Sequence, residues 1–253
     1  MKALYKLFSV LPLLILSACE SVDSDDIRTS GIYADFTITS TDQSTSKVRA
    51  RLSVGGIFSN TNLELNNGDQ LIISSGSTSG IMREDSELLG GTEYKYTLPF
   101  AAESTEYIIN FKRSTGVSAP RSVVTMPAPV SFTLPANGTV FQRSDTININ
   151  WTPVSNNMTS IGIRASTFNC NVDSSEAGGL SGFYSYSSFT DSGMTSVRAS
   201  SLFSAKALAN DSLICDVTFD ITRKMKGILD PAYGDGGSIS ALQTDKVVIR
   251  VSP

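Results

Sequence analysis

The sequence predicts an all-β protein built from two β-sandwich domains in tandem. Hydrophobic residues recur at every second position, as at Val48, Ala50, Leu52 and Val54, which is the period of a half-buried strand. Turn signals such as Asn66-Asn67-Gly68 separate these runs at intervals of roughly 8 to 12 residues, a spacing typical of sandwiches and barrels. The chain has 253 residues, more than one sandwich of ~100 residues requires.

The first 18 residues have the layout of an export signal. Lys2 and Lys6 precede an apolar run, Leu7 to Leu16, that is too short to span a bilayer as a helix. The run ends in Leu16-Ser17-Ala18-Cys19, which resembles the lipobox of bacterial lipoproteins. This resemblance implies that residues 1–18 are removed and that Cys19 becomes an acylated first residue, bound to membrane lipid. A plain cleavable signal or a short membrane anchor is the alternative.

The segment after Cys19 is expected to connect the lipid to the folded protein. Glu20 stands where an aspartate, in the enterobacterial sorting pattern that this resembles, would retain a lipoprotein at the inner membrane. The resemblance therefore implies an outer-membrane anchor, with the protein facing the periplasm or the cell surface. Residues 19–29 are polar and acidic and predict a flexible tether.

Composition excludes several kinds of chemistry. The chain has no histidine, which rules out Ser-His-Asp and Cys-His catalysis and histidine-ligated zinc. Without Lys2 and Lys6, 18 of the 20 basic residues remain against 24 acidic ones, so we expect no nucleic-acid partner. No cofactor is predicted.

The three cysteines predict one disulfide. If Cys19 carries lipid, Cys170 and Cys215 are the thiols left, and an exported compartment is oxidising. Two unpaired, buried thiols are the alternative.

Residues 30–126 are predicted to form the first domain. Alternating segments predict these strands: Lys47–Val54, Asn62–Leu65, Asp69–Ser74, Glu93–Leu98 and Glu106–Lys112. Lys47, Arg49 and Arg51 share the outer face of one of them. They suggest either a phosphate or lipid-headgroup site, or charges that protect a sheet edge from pairing with another chain.

Residues 127–253 are predicted to form the second domain. The boundary lies within the proline-rich seam Met126-Pro127-Ala128-Pro129-Val130. Its opening, an alternating strand that ends in Trp151-Thr152-Pro153, resembles the early strands of fibronectin type III and immunoglobulin-like domains. This resemblance implies two immunoglobulin-like sandwiches, with Trp151 packed between the sheets of the second. Unlike in antibody domains, the tryptophan precedes both cysteines. A Cys170–Cys215 bridge is therefore expected to join neighbouring strands, or a loop to its sheet.

Later elements of the second domain can also be read. Strands are predicted over Ser160–Phe168, Leu213–Thr222 and Lys246–Val251. The spacing of apolar residues in Ala199–Ala209 predicts a short helix that crosses between the sheets.

The candidate ligand-binding residues lie in the stretch from Gly178 to Asp191. The candidates are Phe183, Tyr184, Tyr186 and Phe189, and tyrosine among serine and glycine is the composition of recognition loops. In a strand, Tyr184 and Tyr186 would share one face, with Phe183, Ser185 and Ser187 on the other. A structural strand packed on its neighbours is the alternative.

Acidic residues give the remaining candidates. Asp230 and Asp235 flank a glycine-rich loop and are hard oxygen ligands, but no metal site is predicted. Asp23, Asp25 and Asp26 could also bind calcium, although nothing fixes a loop around an ion.

The sequence predicts a non-catalytic lipoprotein that binds or scaffolds an envelope protein or polysaccharide. The alternative is an envelope hydrolase or carbohydrate-active enzyme with paired carboxylates. Sandwich domains host many functions, so the fold alone does not choose between them.

Overall fold

Eighteen strands make up most of the computed structural model. It describes residues 21–41, 44–55, 61–87, 91–154, 159–171, 184–188, 190–210, 212–234 and 236–253. Across these ranges, no helix is long and apolar enough to cross a membrane. The all-β prediction is confirmed.

The strands form three sheets within the described ranges. The large sheet contains eleven strands: β1 (Ser21–Asp23), β2 (Ile32–Ser40), β3 (Ser46–Val54), β4 (Thr61–Glu64), β7 (Arg83–Glu87), β8 (Gly91–Leu98), β12 (Val140–Gln142), β14 (Thr159–Phe168), β15 (Tyr184–Ser188), β17 (Cys215–Lys226) and β18 (Gly237–Ser252). A four-stranded sheet contains β5 (Gln70–Ser75), β6 (Thr78–Ile81), β9 (Glu106–Lys112) and β10 (Ala119–Thr125). A three-stranded sheet contains β11 (Phe132–Leu134), β13 (Thr146–Trp151) and β16 (Met194–Arg198).

The first hydrophobic core lies between the four-stranded sheet and the β2–β3 region of the large sheet. Strand β2 is buried at every second position, because only one of its faces meets the core. The ring of Tyr233 lies among the rings of both sheets, with its centroid 5.9 Å from that of Phe36 and 6.3 Å from that of Phe111. The alternation of hydrophobic and polar residues in the sequence thus corresponds to strands that bury one face between two sheets, as in a sandwich.

The second core lies between the three-stranded sheet and strands β14, β17 and β18. Trp151 ends β13 and is 2% exposed, which confirms its predicted place between the sheets. The predicted helix over 199–209 is instead a 3-10 turn, Ala199–Leu202, followed by a short α-helix, Ala205–Leu208. Together they connect β16 in the small sheet to β17 in the large one, as a crossover should.

The paired strands β17 and β18 run from one core to the other. They pair over twelve residues, from Cys215 opposite Val251 to Lys226 opposite Ser240. The first half of β18 also pairs in parallel with β2, so that Ile239 and Ala241 belong to the first core, whereas Val247 and Ile249 belong to the second. The boundary near residue 126 remains a prediction, but the first core takes residues from beyond it.

The segment before β2 is docked on the first sandwich. Strand β1 pairs in parallel with β4, and Ser24 and Thr29 are buried. The Arg113 side chain donates hydrogen bonds to the carbonyl oxygens of Ser24 and Ile27 and to the Thr29 hydroxyl. The predicted flexible tether over 19–29 is therefore wrong for residues 21–29, because a buried guanidinium binds their backbone.

Arg113 forms a buried ion pair. Its Nε lies 3.2 Å from Asp69 Oδ2, and the two side chains are 3% and 0% exposed. Asp69 also accepts hydrogen bonds from the Ser24 hydroxyl and from the amide and hydroxyl of Ser114. Burial alone raises the pKa of the Asp69 carboxyl, but these hydrogen bonds and the charge of Arg113 together hold it below its ordinary value of 3.8.

A second buried pair lies where the chain enters the second sandwich. Arg223 is fully buried, and its Nη2 lies 2.8 Å from Asp191 Oδ2. The guanidinium also donates to the carbonyl oxygens of Ala128, Pro129 and Thr152. Asp191 in turn accepts hydrogen bonds from the Trp151 indole and the Val154 amide. The proline-rich seam is thus bound to the core strand β17.

We expect Arg223→Met to lower the free energy of unfolding by about 3–5 kcal/mol, because it leaves the Asp191 carboxylate buried without its partner. Urea denaturation of the purified protein measures this change. Arg250→Met is the matched control. The Arg250 side chain is 57% exposed and pairs with Asp216 at the surface, so its loss should cost no more than about 1 kcal/mol. Equal losses in the two variants would contradict the role of Arg223.

Asp69 should make stability depend on pH in the acid range. Its lowered pKa contributes stability that is fully present above the ordinary value of 3.8 and is lost as the pH falls through the folded-state value. The stability difference between wild type and Asp69→Asn should therefore be largest near neutral pH and should shrink below pH 3.8. Denaturation between neutral pH and about pH 2 measures it. Ser79→Ala, a change at an exposed residue that removes no titratable group, should give a stability difference that does not vary with pH.

Candidate binding surface

Tyr184 and Tyr186 lie on strand β15 and face the second core. The ring centroid of Tyr186 is 6.3 Å from that of Trp151, and Tyr184 meets Phe219 edge to face at 6.2 Å. Burial raises the pKa of the Tyr184 phenol above its ordinary value of 10.0. Both half-buried rings thus pack on the second core, as in the structural-strand alternative, and a ligand-binding role for them stays a prediction.

Two of the four aromatic candidates cannot be placed. Phe183 and Phe189 lie outside the described residues, and their predicted role in ligand binding remains a prediction.

The opposite face of the same strands is polar and faces outward. The strand register aligns side chains on this face in two rows across β15, β14, β17 and β18. One row contains Ser187, Gly162, Thr222 and Thr244; the other contains Ser185, Arg164, Asp220 and Lys246. We call these eight residues the outer polar face. All four residues of the second row are exposed.

Two shallow cavities lie on the outer polar face and share Asp220. The first has a volume of about 430 Å³ and extends over Gly162, with Arg164, Ser185, Ser187 and Thr222 around it. The second has a volume of about 320 Å³ and includes Thr244 and Lys246. Such volumes are in the range of small-ligand sites.

The polar groups around the first cavity have no side-chain partner among the residues that the structure describes. Cross-strand pairing sets Arg164 opposite Asp220, yet among the described residues neither forms an ion pair within 4.0 Å. The hydroxyls of Ser185, Ser187 and Thr222 likewise form no hydrogen bond within the described part of the chain. The site thus offers a cation, an anion and three hydroxyls to a ligand.

A disulfide joins Cys170 and Cys215, as predicted, with their Cα atoms 4.1 Å apart. Cys170 follows the end of β14 and Cys215 begins β17, the adjacent antiparallel strand. The bridge therefore joins neighbouring strands of one sheet, as the sequence indicated, and closes a loop that contains β15. In the chain-entropy model a separation of 45 residues contributes roughly 4 kcal/mol at most.

The acidic candidates that the structure describes have structural partners or are exposed. Asp230 accepts hydrogen bonds from the amides of Arg121 and Ala232 and so begins the 3-10 turn Pro231–Tyr233. Asp235 lies outside the described residues, so a metal site that uses both is not tested.

The carboxylates of Asp23, Asp25 and Asp26 lie within 4.8 Å of one another. All three are exposed, and the Asn67 side chain donates to one oxygen of Asp25. An exposed acidic group of this kind does not by itself define a cation site.

The basic stripe Lys47, Arg49 and Arg51 lies on the exposed face of β3. Strand β3 is inside the large sheet, between β2 and β8, so these charges do not protect an edge. Glu93 pairs with Arg49 at 3.3 Å and with Arg51 at 3.7 Å. The neighbouring carboxylate reduces the positive potential that a phosphate or headgroup site would need.

Tyr186→Ala should lower the free energy of unfolding by about 2–3 kcal/mol, because the ring fills space against Trp151 in the second core. Thermal denaturation followed by circular dichroism measures it. Ser185→Ala, on the opposite face of the same strand, should change stability by no more than about 0.5 kcal/mol. If Tyr186→Ala left stability unchanged, its assignment to the core would fail.

No protein-family profile matches the chain, and no curated protein matches its sequence. The chain is similar to fibronectin(III)-like modules of Clostridium thermocellum CbhA, with 11% identity over 87% of this chain and 90% of that one and a TM-score of 0.26. It is also similar to the FN1–FN3 domains of chicken CNTN1, with 10% identity and a TM-score of 0.23. That match covers 86% of this chain and 64% of the other.

A third similar structure is the Yersinia pseudotuberculosis adhesin InvE, with 13% identity and a TM-score of 0.22. The match covers 86% of this chain and 59% of the adhesin chain. TM-scores this low carry no conclusion about function or family. The sandwich architecture rests on the strands and cores described above, and the immunoglobulin-like assignment on the sequence around Trp151.

Proposed function

We propose that this chain is a lipid-anchored protein of the bacterial cell envelope that binds or scaffolds a partner and carries out no catalysis. The observation that carries the proposal is the Leu16-Ser17-Ala18-Cys19 sequence directly after a short apolar run. An acylated Cys19 would hold the sandwiches at a membrane, and Glu20 favours the outer one. A single acyl chain binds only marginally, so stable anchoring needs the two or more chains of a lipoprotein.

A non-catalytic role is favoured by the chemistry of the side chains. The chain has no histidine to act as a base. Two carboxylates that an enzyme could use have structural partners instead: Asp230 caps a turn, and Asp85 is paired with Lys95 at the surface. A glycosidase instead needs two carboxyl groups that face each other across a cleft, ~5 to 9.5 Å apart.

A scaffolding role is favoured by the way in which the two cores are connected. Strand β18 contributes to both, and Arg223 binds the backbone of the seam between them. A continuous strand and a buried guanidinium both oppose bending at the seam. A ligand bound to the outer polar face would therefore be held in a fixed position relative to the first sandwich.

Cys19→Ser should release the protein from membranes, because the serine cannot form the thioether to diacylglycerol. Fractionation of cells, with a labelled fatty acid to follow acylation, measures the change. Ser21→Ala, an exposed residue two positions later, is the control and should remain in the membrane pellet with its label. A Cys19→Ser protein that still pelleted with the same amount of label would refute the lipid anchor.

A further inference from the structure

Gly162 occupies a position where the fold does not require glycine. The other glycines inside described strands have a conformational or steric reason: Gly91 and Gly237 have positive φ, and a Cβ on Gly80 would lie 2.2 Å from the Tyr96 ring. At Gly162, φ is not in the left-handed region, and the nearest heavy atom to an added Cβ would be the Tyr186 carbonyl oxygen, 3.9 Å away. A Cβ would therefore fit there in ordinary van der Waals contact.

Glycine in the interior of a strand weakens it, since it has no side chain to pack and loses more conformational freedom on folding. A position that could hold a Cβ without strain therefore loses stability by holding glycine. Such glycines often mark a place where a ligand or another backbone approaches closely. Gly162 lies at the base of the 430 Å³ cavity, where a side chain would fill the space that a ligand could enter.

The residues around Gly162 point to the chemistry of the ligand. Arg164 and Asp220 present one positive and one negative group, and the adjoining cavity adds Lys246. The register sets the Asp220 carboxylate between these two cations, which is not the cluster of positive charge that binds a polyanion such as nucleic acid. It is suited to groups that both donate and accept hydrogen bonds.

The surface is poorly suited to an apolar protein partner. Protein interfaces depend on a few buried aromatic or aliphatic anchors at their centre. The large hydrophobic side chains exposed within the described residues, such as Phe168 and Ile214, do not line either cavity of the outer polar face. The side chains of Ile163 and Tyr186 point to the core.

We propose that the outer polar face binds an uncharged stretch of polysaccharide, with one sugar ring seated over Gly162. The proposal rests on the binding role proposed above and names its ligand class. Sugar hydroxyls donate and accept at once. Asp220 would accept from two of them, Arg164 would donate to a third, and the serine and threonine hydroxyls would complete the set. Hydrogen bonds to ionised groups are about twice as strong as neutral ones, so these two residues would contribute most.

The proposal can be tested with the full-length chain in detergent on a glycan microarray of neutral and acidic oligosaccharides, followed by titration calorimetry with the neutral glycan that binds best. Gly162→Val places the side chain of a good strand former in the part of the cavity where the sugar ring is proposed to lie. It should weaken binding by about tenfold or more while the melting temperature is kept or raised. Ser166→Val is the matched control on the same strand and face, outside both cavities, and should bind as wild type does.

Arg164→Gln provides a second variant that leaves the backbone unchanged, and we expect about tenfold weaker binding from the loss of its charge-assisted hydrogen bond. Three outcomes would overturn the proposal. The protein could retain acidic glycans alone, it could retain no glycan, or Gly162→Val could bind as well as wild type. Because binding is measured on solubilised protein, these outcomes are independent of whether Cys19 carries lipid.

Discussion

Each sandwich is bound to the segment of chain that enters it by one buried arginine–aspartate pair. Arg113 with Asp69 binds the backbone of residues 24–27, and Arg223 with Asp191 binds that of residues 128–129. In both cases the guanidinium satisfies carbonyl groups that no strand pairing reaches, which offsets the cost of removing a charge from water. The two entering segments are therefore part of the folded body.

Most strands could be predicted from the sequence because one face of each is buried, and burial of one face produces a period of two. The same period of two could also have identified the buried arginines. Tyr107, Ile109 and Phe111 are followed at the next inward position by Arg113, and Arg223 continues the inward series of β17 in the same way. A charged residue that continues a buried series needs a buried partner. The partners are distant in sequence, so the sequence alone could not identify them.

The candidate site shows a different limit. The composition of β15 made its tyrosines candidates for binding, and their alternation with serine shows that the two residue types lie on opposite faces. The sequence does not show which of these faces meets the core; the packing of the strand decides it. Tyr186 packs inward, and the serines on either side of it point outward. Gly162 could be read as a strand interruption, but only the space around it shows that no neighbour requires glycine there.

The last strand of the chain also completes its first sandwich. Ile239 and Ala241 of β18 pack in the same core as Phe36, about 200 residues earlier, and β2 pairs directly with β18. During synthesis, the amino-terminal half emerges without its final neighbour and so has an unpaired strand edge until β18 follows. A protein cut short before β18 would lack part of both cores.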